Sequence, residues 1–402
     1  MKKSLLCGIM ALALAGSAFA QRPTPEKFDS LGYVFTDVKV AKATSVKNQA
    51  KSGTCWCFSG NSFLENEILR KTGKVVDLSE AFIVRHCYSD KADKNYRTYG
   101  HNTFAQGGGL PDNGYVWVNY GMVPEEIYRG LEYGDTLYNH AEVVAALSAY
   151  MKAINGAKGK KSTAWKRGFE GIQDAYFGEL PTTFQWEGKT YTPQSYAASL
   201  GLNMDDYVLL TSYTHHPFYK PFALEVSDNW LWEKFYNVPL DEFKAIADNA
   251  VENGYTIGWA ADVSEPGFKW NNGIAVIPAE KTAESLEGSE LSRWVALSPA
   301  QKDAERFKIK GPGPEIKVTQ ESRQEMFDNQ TTTDDHGMVI QGYATDQNGN
   351  RFYKVKNSWG SNHIYKGYFY CSEAYFMAKT LSYIVHKDAI PAAIAKKLGI
   401  KK

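Results

Sequence analysis

The chain has 402 residues, and its 45 basic and 45 acidic side chains give a formal net charge of zero at pH 7. This balance gives no reason to expect a nucleic acid or an anionic membrane as a partner. Hydrophobic residues make up 43% of the chain, which is enough for a sizeable core and indicates a globular protein.

The first twenty residues have the pattern of a cleaved signal peptide. Lys2 and Lys3 precede an apolar stretch over residues 5–15, and Ala18-Phe19-Ala20 has the small residues of a cleavage site. No later stretch approaches the roughly 20 apolar residues that a membrane span needs. We therefore expect a soluble protein without a membrane anchor, located in the periplasm or secreted by a bacterial cell. Residues 21–43 are predicted to form a short leader.

A loop followed by a helix carries the strongest signal for function. Residues 48–59 read NQAKSGTCWCFS, and the apolar spacing beyond them predicts a helix over 55–71. Cys55 would lie at the N-terminus of this helix, where partial positive charge lowers the pKa of a thiol. The amide of Gln49 could lie beside the backbone N–H of Cys55, and two such donors can hold an oxyanion. This arrangement is typical of a cysteine that attacks a carbonyl carbon.

More helices are predicted in the first half of the chain. Ser79 is a candidate N-cap of a second helix, and residues 113–120 read as a third. Between about 125 and 235 the pattern changes, and helical periodicity over 139–154 and 164–177 predicts a mainly helical insertion.

A base for the thiol is predicted far downstream. His336 begins a strand-like run over 336–345, and Asn357 ends the next one, over 351–357. A neutral imidazole can take the thiol proton, and an amide oxygen on its other nitrogen would fix its tautomer and orientation. Trp359 could shield that hydrogen bond from water.

These motifs together resemble the papain superfamily of cysteine peptidases. The resemblance rests on NQAKSGTCWCFS, LSEAF, the Gly107-Gly108-Gly109 run, DHGMVIQGYATD and KNSWG, which occur in sequential order. NVPLDEF, GWAADV, YGMVP and KGYFY make the chain similar to the bleomycin hydrolase and aminopeptidase C branch. The resemblance implies an α+β, two-lobed peptidase domain over 44–402. A helical lobe would carry Cys55, and a lobe like an antiparallel β-barrel would carry His336 and Asn357.

The resemblance also implies an activity. Peptides would be hydrolysed through a Cys55 thioester, with His336, Asn357 and Gln49 as the other catalytic residues and no metal or organic cofactor. Gly107 and Gly108 would form a bare wall of the cleft, with Trp359 close by, because glycine lacks the Cβ that would keep a substrate backbone away. Enzymes of this branch are commonly hexameric aminopeptidases, in which the carboxylate of a C-terminal arm meets the substrate's amino group.

Two features depart from that branch, so other readings stay open. The signal peptide is one. The tail over about 388–402 is the other, since it carries four lysines, whereas an anion is needed to bind the substrate's amino group. An endopeptidase or a dipeptide-releasing peptidase is the main alternative. A cell-wall peptide amidase and a catalytically silent binding protein are alternatives of another class. We expect Cys57 to be a packing residue and His215-His216 to be a loop pair rather than a metal site.

Overall fold

The computed structural model describes residues 29–401, so the predicted signal peptide and the start of the leader lie outside the described residues. Within this range no helix is long and apolar enough to cross a membrane. The helices are α1 (Cys55–Thr72), α2 (Glu80–Arg97), α3 (Pro111–Asn119), α4 (Ala141–Gly156), α5 (Ala164–Phe177), α6 (Pro193–Ser199), α7 (Leu240–Glu252), α8 (Gly288–Ala296), α9 (Pro299–Arg306), α10 (Gln320–Asp328), α11 (Glu373–Lys379) and α12 (Ala392–Leu398). The strands are β1 (Thr36–Val40), β2 (Phe184–Trp186), β3 (Lys189–Tyr191), β4 (Tyr207–Thr211), β5 (Pro221–Ala223), β6 (Lys234–Asn237), β7 (Ile257–Ala261), β8 (Phe268–Lys269), β9 (Ile274–Ala275), β10 (His336–Thr345), β11 (Arg351–Lys356), β12 (Tyr368–Ser372) and β13 (Thr380–His386).

Helices α1 to α6 form one lobe around a shared apolar core. The Ser79 hydroxyl accepts a hydrogen bond from the Phe82 backbone N–H, as expected for the N-cap of α2. Helix α1 ends at Gly73, whose φ of 74° is a left-handed conformation that glycine adopts without strain. Apolar side chains along α1 and α2, such as Phe63 and Ile83, are buried in this core.

A large sheet forms the other lobe. Its strands follow the order β5-β6-β4-β13-β7-β10-β11-β12-β9-β8, and β1 pairs with β10. The pairs are antiparallel except for β4 with β6 and β9 with β12. Helix α7 packs its apolar side, including Phe243 and Ile246, against this sheet. A helical lobe joined to a mostly antiparallel sheet confirms the predicted α+β class.

The segment predicted as an insertion is helical in its first part only. Helices α4, α5 and α6 lie within it, whereas β4 and β5 of the same range join the large sheet. In β4, Val208 and Leu210 are buried while Tyr207 and Leu209 are partly exposed. This period of two is typical of a strand. The chain therefore forms a strand here, although the residues before it are mainly helical.

The described part of the predicted leader belongs to the sheet. Strand β1 pairs antiparallel with β10. Just before it, the Phe35 ring stacks on Tyr370 with centroids 4.0 Å apart. Tyr33 is buried beside the same cluster. The segment therefore contributes to the core of the sheet lobe.

The C-terminal tail packs against α7. Ile394, Ala395 and Leu398 are buried in the core of the sheet lobe, and Lys397 forms an ion pair with Glu242. These contacts hold the tail on the sheet lobe, and none of its described residues lines the cavity that contains Cys55.

The cysteines of the described chain form no disulfide. Cys57, Cys87 and Cys371 are fully buried among apolar side chains. Cys57 therefore has the packing environment that the sequence predicts, and Cys55 alone of the four is partly exposed.

Candidate active site

Helix α1 and strand β10 meet at the start of each element. Cys55 is the first residue of α1, and His336 is the first residue of β10. The residue after His336 is Gly337, where a Cβ would lie 2.5 Å from Ser59 Oγ and 3.1 Å from Trp56 Cα. Because glycine permits this approach, Cys55 and His336 line one cavity.

The partner of His336 comes from the neighbouring strand. Strands β10 and β11 pair antiparallel with Val339 opposite Lys356, so Asn357 lies at the same end of the sheet as His336. His336 Nε2 and Asn357 Oδ1 are 2.7 Å apart. Asn357 Oδ1 also accepts a hydrogen bond from the Ser358 backbone N–H at 2.8 Å, which identifies that atom as the oxygen. His336 Nε2 therefore carries the proton and donates, and Nδ1 keeps its lone pair to act as a base.

Trp359 covers this hydrogen bond. Its ring centroid lies 4.6 Å from that of His336. The rings of Phe268 and Trp270 pack edge-on against Trp359. His336 and Asn357 are both buried, so water has little access to the bond between them.

Gln49 is fixed in the loop before α1. Its backbone N–H donates to Ser358 O at 2.8 Å, and its side-chain Oε1 accepts from Ser358 Oγ at 2.6 Å. Gln49 Nε2 donates to Ser52 O at 2.7 Å. An amide nitrogen has two protons, so one remains for another acceptor. The contacts to Ser358 join this loop to the segment that carries Asn357.

Burial has the largest effect on the pKa values of the Cys55 thiol and the His336 imidazole. It raises the pKa of Cys55 to about 11, although the backbone N–H of Gly337 acts in the opposite direction. The carboxylates of Asp334 and Asp228 raise the pKa of Cys55 as well. Burial lowers the pKa of His336 to about 4, against the effect of its hydrogen bond to Asn357. The helix N-terminus alone therefore does not produce the lowered thiol pKa that the sequence predicts, because burial outweighs it.

The glycine loop lies beside Trp56. Gly108 lines the cavity, and a Cβ there would lie 2.9 Å from the Trp56 ring. At Gly107 a Cβ would collide with the carboxylate of Asp228. Lys91 holds the loop by donating to the Gly107 carbonyl. The wall expected to be bare at both glycines is thus covered at Gly107.

Two aspartates of the cavity are absent from the sequence prediction. Asp334 lies two residues before His336, and Asp228 lies in the loop between β5 and β6. Asp334 could have been noticed because it is close to His336 in the sequence. No local pattern points to Asp228, whose position depends on how β5 and β6 join the sheet.

His215 and His216 form a hydrogen-bonded cluster with Glu225. Their Nε2 atoms lie 3.1 and 2.6 Å from the Glu225 carboxylate oxygens, so the three side chains could hold a metal ion. However, Gln324 Nε2 donates to His215 Nδ1 at 3.0 Å, while its Oε1 accepts from the Thr214 N–H. His215 Nε2 therefore carries the proton and has no lone pair for a metal.

The fold and the arrangement of Cys55, His336 and Asn357 define a papain-like cysteine peptidase. Two family models match: the papain family cysteine protease over residues 25–181 and the peptidase C1-like family over 287–401. The chain belongs to the papain superfamily, in its aminopeptidase C and bleomycin hydrolase branch.

Some individual proteins are similar to most of the chain, and others only to about a third of it. Aminopeptidase C of Lactococcus lactis subsp. lactis is 23% identical over 385 residues, covering 86% of this chain and 81% of that protein. Procathepsin L of Felis catus is 32% identical over 135 residues, which is 33% of this chain and only 35% of that protein. The solved structure of PepW from Lactobacillus rhamnosis has a TM-score of 0.68 at 20% identity, covering 90% of this chain and 84% of that one. This last likeness shows the fold.

Proposed function

We propose that the protein is a cysteine peptidase that releases residues from the free N-termini of peptides. The observation that carries this proposal is the covered wall of the cavity beside Cys55. Asp228 covers the Gly107 part of the wall, and Leu224 and Phe235 from the flanks of the same loop line the cavity with it. These side chains narrow the cavity beside Cys55, which favours a substrate that ends there over one that continues. Aminopeptidase C, which matches most of the chain, supports the same activity.

The proposed reaction is acyl transfer through a thioester. His336 Nδ1 takes the Cys55 proton, and the thiolate attacks the scissile carbonyl. The Cys55 backbone N–H and the free N–H of Gln49 stabilise the negative charge on the carbonyl oxygen. The imidazolium then gives its proton to the leaving amine, which departs as the thioester forms. His336 next activates a water molecule that hydrolyses the thioester and frees Cys55.

Proton transfer within the buried pair would allow the proposed reaction at neutral pH. Separately, the thiol and the imidazole are held neutral by burial. Transfer of the proton from Cys55 to His336 leaves a pair of zero total charge, whose opposite charges attract strongly in a medium of low polarity. The pair thus avoids the cost of one isolated buried charge.

The test compares free and N-acetylated peptides of the same sequence. The protein of residues 21–402 is incubated with both sets, products are read by mass spectrometry, and the Cys55→Ala variant serves as the blank. Stepwise shortening of free peptides alone supports the aminopeptidase. Internal cleavage of acetylated peptides would show an endopeptidase, and release of residue pairs would show a dipeptide-releasing enzyme.

Export and assembly are further proposals that rest on the sequence. The pattern of residues 1–20 supports a cleaved signal peptide and a periplasmic or secreted enzyme. The family resemblance supports a homo-oligomer, with a hexamer as the expected form. Terminal sequencing of the protein from cell fractions and light scattering of the purified enzyme test these two points.

A further inference from the structure

We infer that Asp228 and Asp334 bind the α-ammonium group of the substrate and so determine that cleavage begins at a free N-terminus. This inference deepens the proposed aminopeptidase function and rests on it.

The two aspartates come from different elements and line the same cavity. Asp228 lies in the loop between β5 and β6, and Asp334 immediately precedes Asp335 and the start of β10. Both line the cavity that contains Cys55 and His336. The sulfur thus shares its cavity with both carboxylates, and their negative charges raise the pKa of the Cys55 thiol. A cation between them would therefore lie close to the scissile bond.

The loop that carries Asp228 is well fixed. Trp230 Nε1 donates to Asp112 Oδ2 at 2.6 Å, which ties the loop to the first turn of α3. Asn229 Nδ2 donates to Leu224 O at 3.0 Å, and Asn229 Oδ1 accepts from the Glu233 N–H at 2.9 Å. These bonds fix the loop from which the Asp228 carboxylate covers Gly107. A fixed group binds with less loss of conformational entropy than a mobile one.

Neither carboxylate has a partner among residues 29–401. No hydrogen bond or ion pair is formed there by the side chain of Asp228 or of Asp334. Asp335, by contrast, accepts from the N–H groups of Val263 and Ser264 at 3.1 and 2.9 Å. Burial and the charge of Asp228 raise the pKa of Asp334 to about 7, so proximity to Asp228 adds to the cost of its charge. Asp228 and Asp334 are partly buried and have no hydrogen-bonded partner in the described range, and a bound ammonium would offset the cost of burying their charges.

Lys91 acts on Asp228 through its charge but forms no ion pair with either aspartate. The charge of Lys91 lowers the pKa of Asp228, but burial raises it more. The Lys91 ammonium donates instead to the carbonyls of Gly107 and Ala105. The two carboxylates therefore remain available to a cation that enters with the substrate. An α-ammonium group offers a positive charge and three N–H donors, and its usual pKa near 8 keeps most of it charged at neutral pH.

The described residues of the C-terminal tail do not supply an anion for the substrate's ammonium group. Leu398 is buried against the sheet lobe, and Lys397 pairs with Glu242 of α7. No described residue of 388–401 lines the Cys55 cavity. In this inference the carboxylates of the cavity wall provide that anion.

Binding of a cation would also favour the nucleophile. The charges of Asp228 and Asp334 disfavour the Cys55 thiolate. An ammonium between them would reduce this effect, so substrates with a free N-terminus would make the thiolate easier to form. A lysine or arginine side chain of a substrate has similar chemistry. The N-terminus is favoured over such a side chain because Asp228 covers Gly107 and leaves less room there for further residues of a substrate.

The experiment measures kcat/KM for a free peptide, its N-acetylated form, and an N-acetylated peptide with lysine next to the cleaved residue. The variants are Asp228→Asn, Asp334→Asn and the double variant. Asp205→Asn is the matched control, because Asp205 is an exposed acid that lines a neighbouring cavity. We expect each single variant to lose about 10- to 100-fold in kcat/KM for the free peptide, as for the loss of a charged hydrogen bond. The value for the acetylated peptides should not fall, and Asp205→Asn should match the wild type.

Alkylation of Cys55 by iodoacetamide gives a second readout. In the double variant its pH profile should shift to lower pH, because two negative charges near the sulfur are removed. Binding of leucinamide and N-acetyl-leucinamide to the Cys55→Ala protein, measured by calorimetry, avoids any variant of the aspartates. Leucinamide should bind and N-acetyl-leucinamide should not; equal binding of the two would contradict the inference.

The outcomes separate this inference from the proposed function. Internal cleavage of acetylated peptides by the wild type would reject the aminopeptidase itself. A wild type that prefers free peptides, with the same preference in folded aspartate variants, would reject only the role of Asp228 and Asp334. Aspartate-dependent cleavage of the acetylated lysine peptide would show that the pair binds a basic side chain instead.

Discussion

At the scale of single residues, the reactivity of Cys55 depends on His336 more than on its place at a helix end. Burial raises the pKa of the thiol to about 11. It also lowers the pKa of the imidazole to about 4, so His336 is neutral and able to accept a proton above that pH. We therefore expect Cys55 to react at neutral pH only with His336 present as the proton acceptor.

Replacement of His336 by alanine tests this dependence. In His336→Ala the thiol must lose its proton to water, so alkylation should appear only as the pH approaches about 11. The wild type should react near neutral pH. The measurement is the rate of iodoacetamide labelling against pH, read by peptide mass spectrometry. Cys57 in the same helix is an internal control, since it is fully buried and should stay unlabelled in the folded protein. Identical profiles for variant and wild type would show that His336 is not the acceptor.

At the scale of elements, the site depends on the close packing of β10 against the first turn of α1. Gly337 has no room for a Cβ, which would lie 2.5 Å from Ser59 Oγ. Ser59 Oγ is itself held by the Cys55 carbonyl at 2.8 Å, so it cannot easily turn away. We expect Gly337→Ala to move His336 relative to Cys55 and lower kcat by at least about tenfold, because catalysis is sensitive to displacements below 1 Å.

A compensating change makes this prediction specific. Ser59→Ala removes the nearest clashing atom, so the Ser59→Ala/Gly337→Ala double variant should recover part of the activity lost in Gly337→Ala. Gly313→Ala is the control, because no atom lies within 4 Å of a Cβ there. The measurements are kcat with a free peptide and the midpoint of thermal unfolding. If the double variant were no better than Gly337→Ala, steric contact with Ser59 would not be the cause.

What the sequence predicts well is local. The helix at Cys55, the strand at His336 and the N-cap at Ser79 follow from periodicity and capping, and the structure has all three. The pairing of β10 with β11 then brings Asn357 to His336. Asp228 could not be found in this way, because it reaches the cavity only through the pairing of β5 with β6.

The protonation of the site could not be predicted either. A helix N-terminus favours a thiolate, and the sequence shows this feature clearly. Burial opposes formation of the thiolate, and burial depends on the whole structure. Cys55 lies between two lobes, in the same cavity as Asp228 and Asp334. A rule drawn from one local feature gives the wrong direction where the larger effect comes from distant residues.

At the scale of the whole molecule, the tail and the cleft are separate. The tail adds Ile394, Ala395 and Leu398 to the core beside α7, whereas the cleft lies where α1 meets β10. The tail therefore contributes to stability, and the preference for a free N-terminus should not depend on it.

Two changes to the tail test this separation. Leu398→Ala should lower the free energy of unfolding by about 2 kcal/mol or more, since Leu398 is 6% exposed in the core. Deletion of residues 392–402 should lower the unfolding temperature further. In both proteins, assayed well below that temperature, the ratio of kcat/KM for free and N-acetylated peptides should equal that of the wild type. Lys396→Gln, on the same helix, is exposed and should change neither quantity. Loss of the preference in a folded truncated protein would show that the tail, rather than Asp228 and Asp334, recognises the substrate's N-terminus.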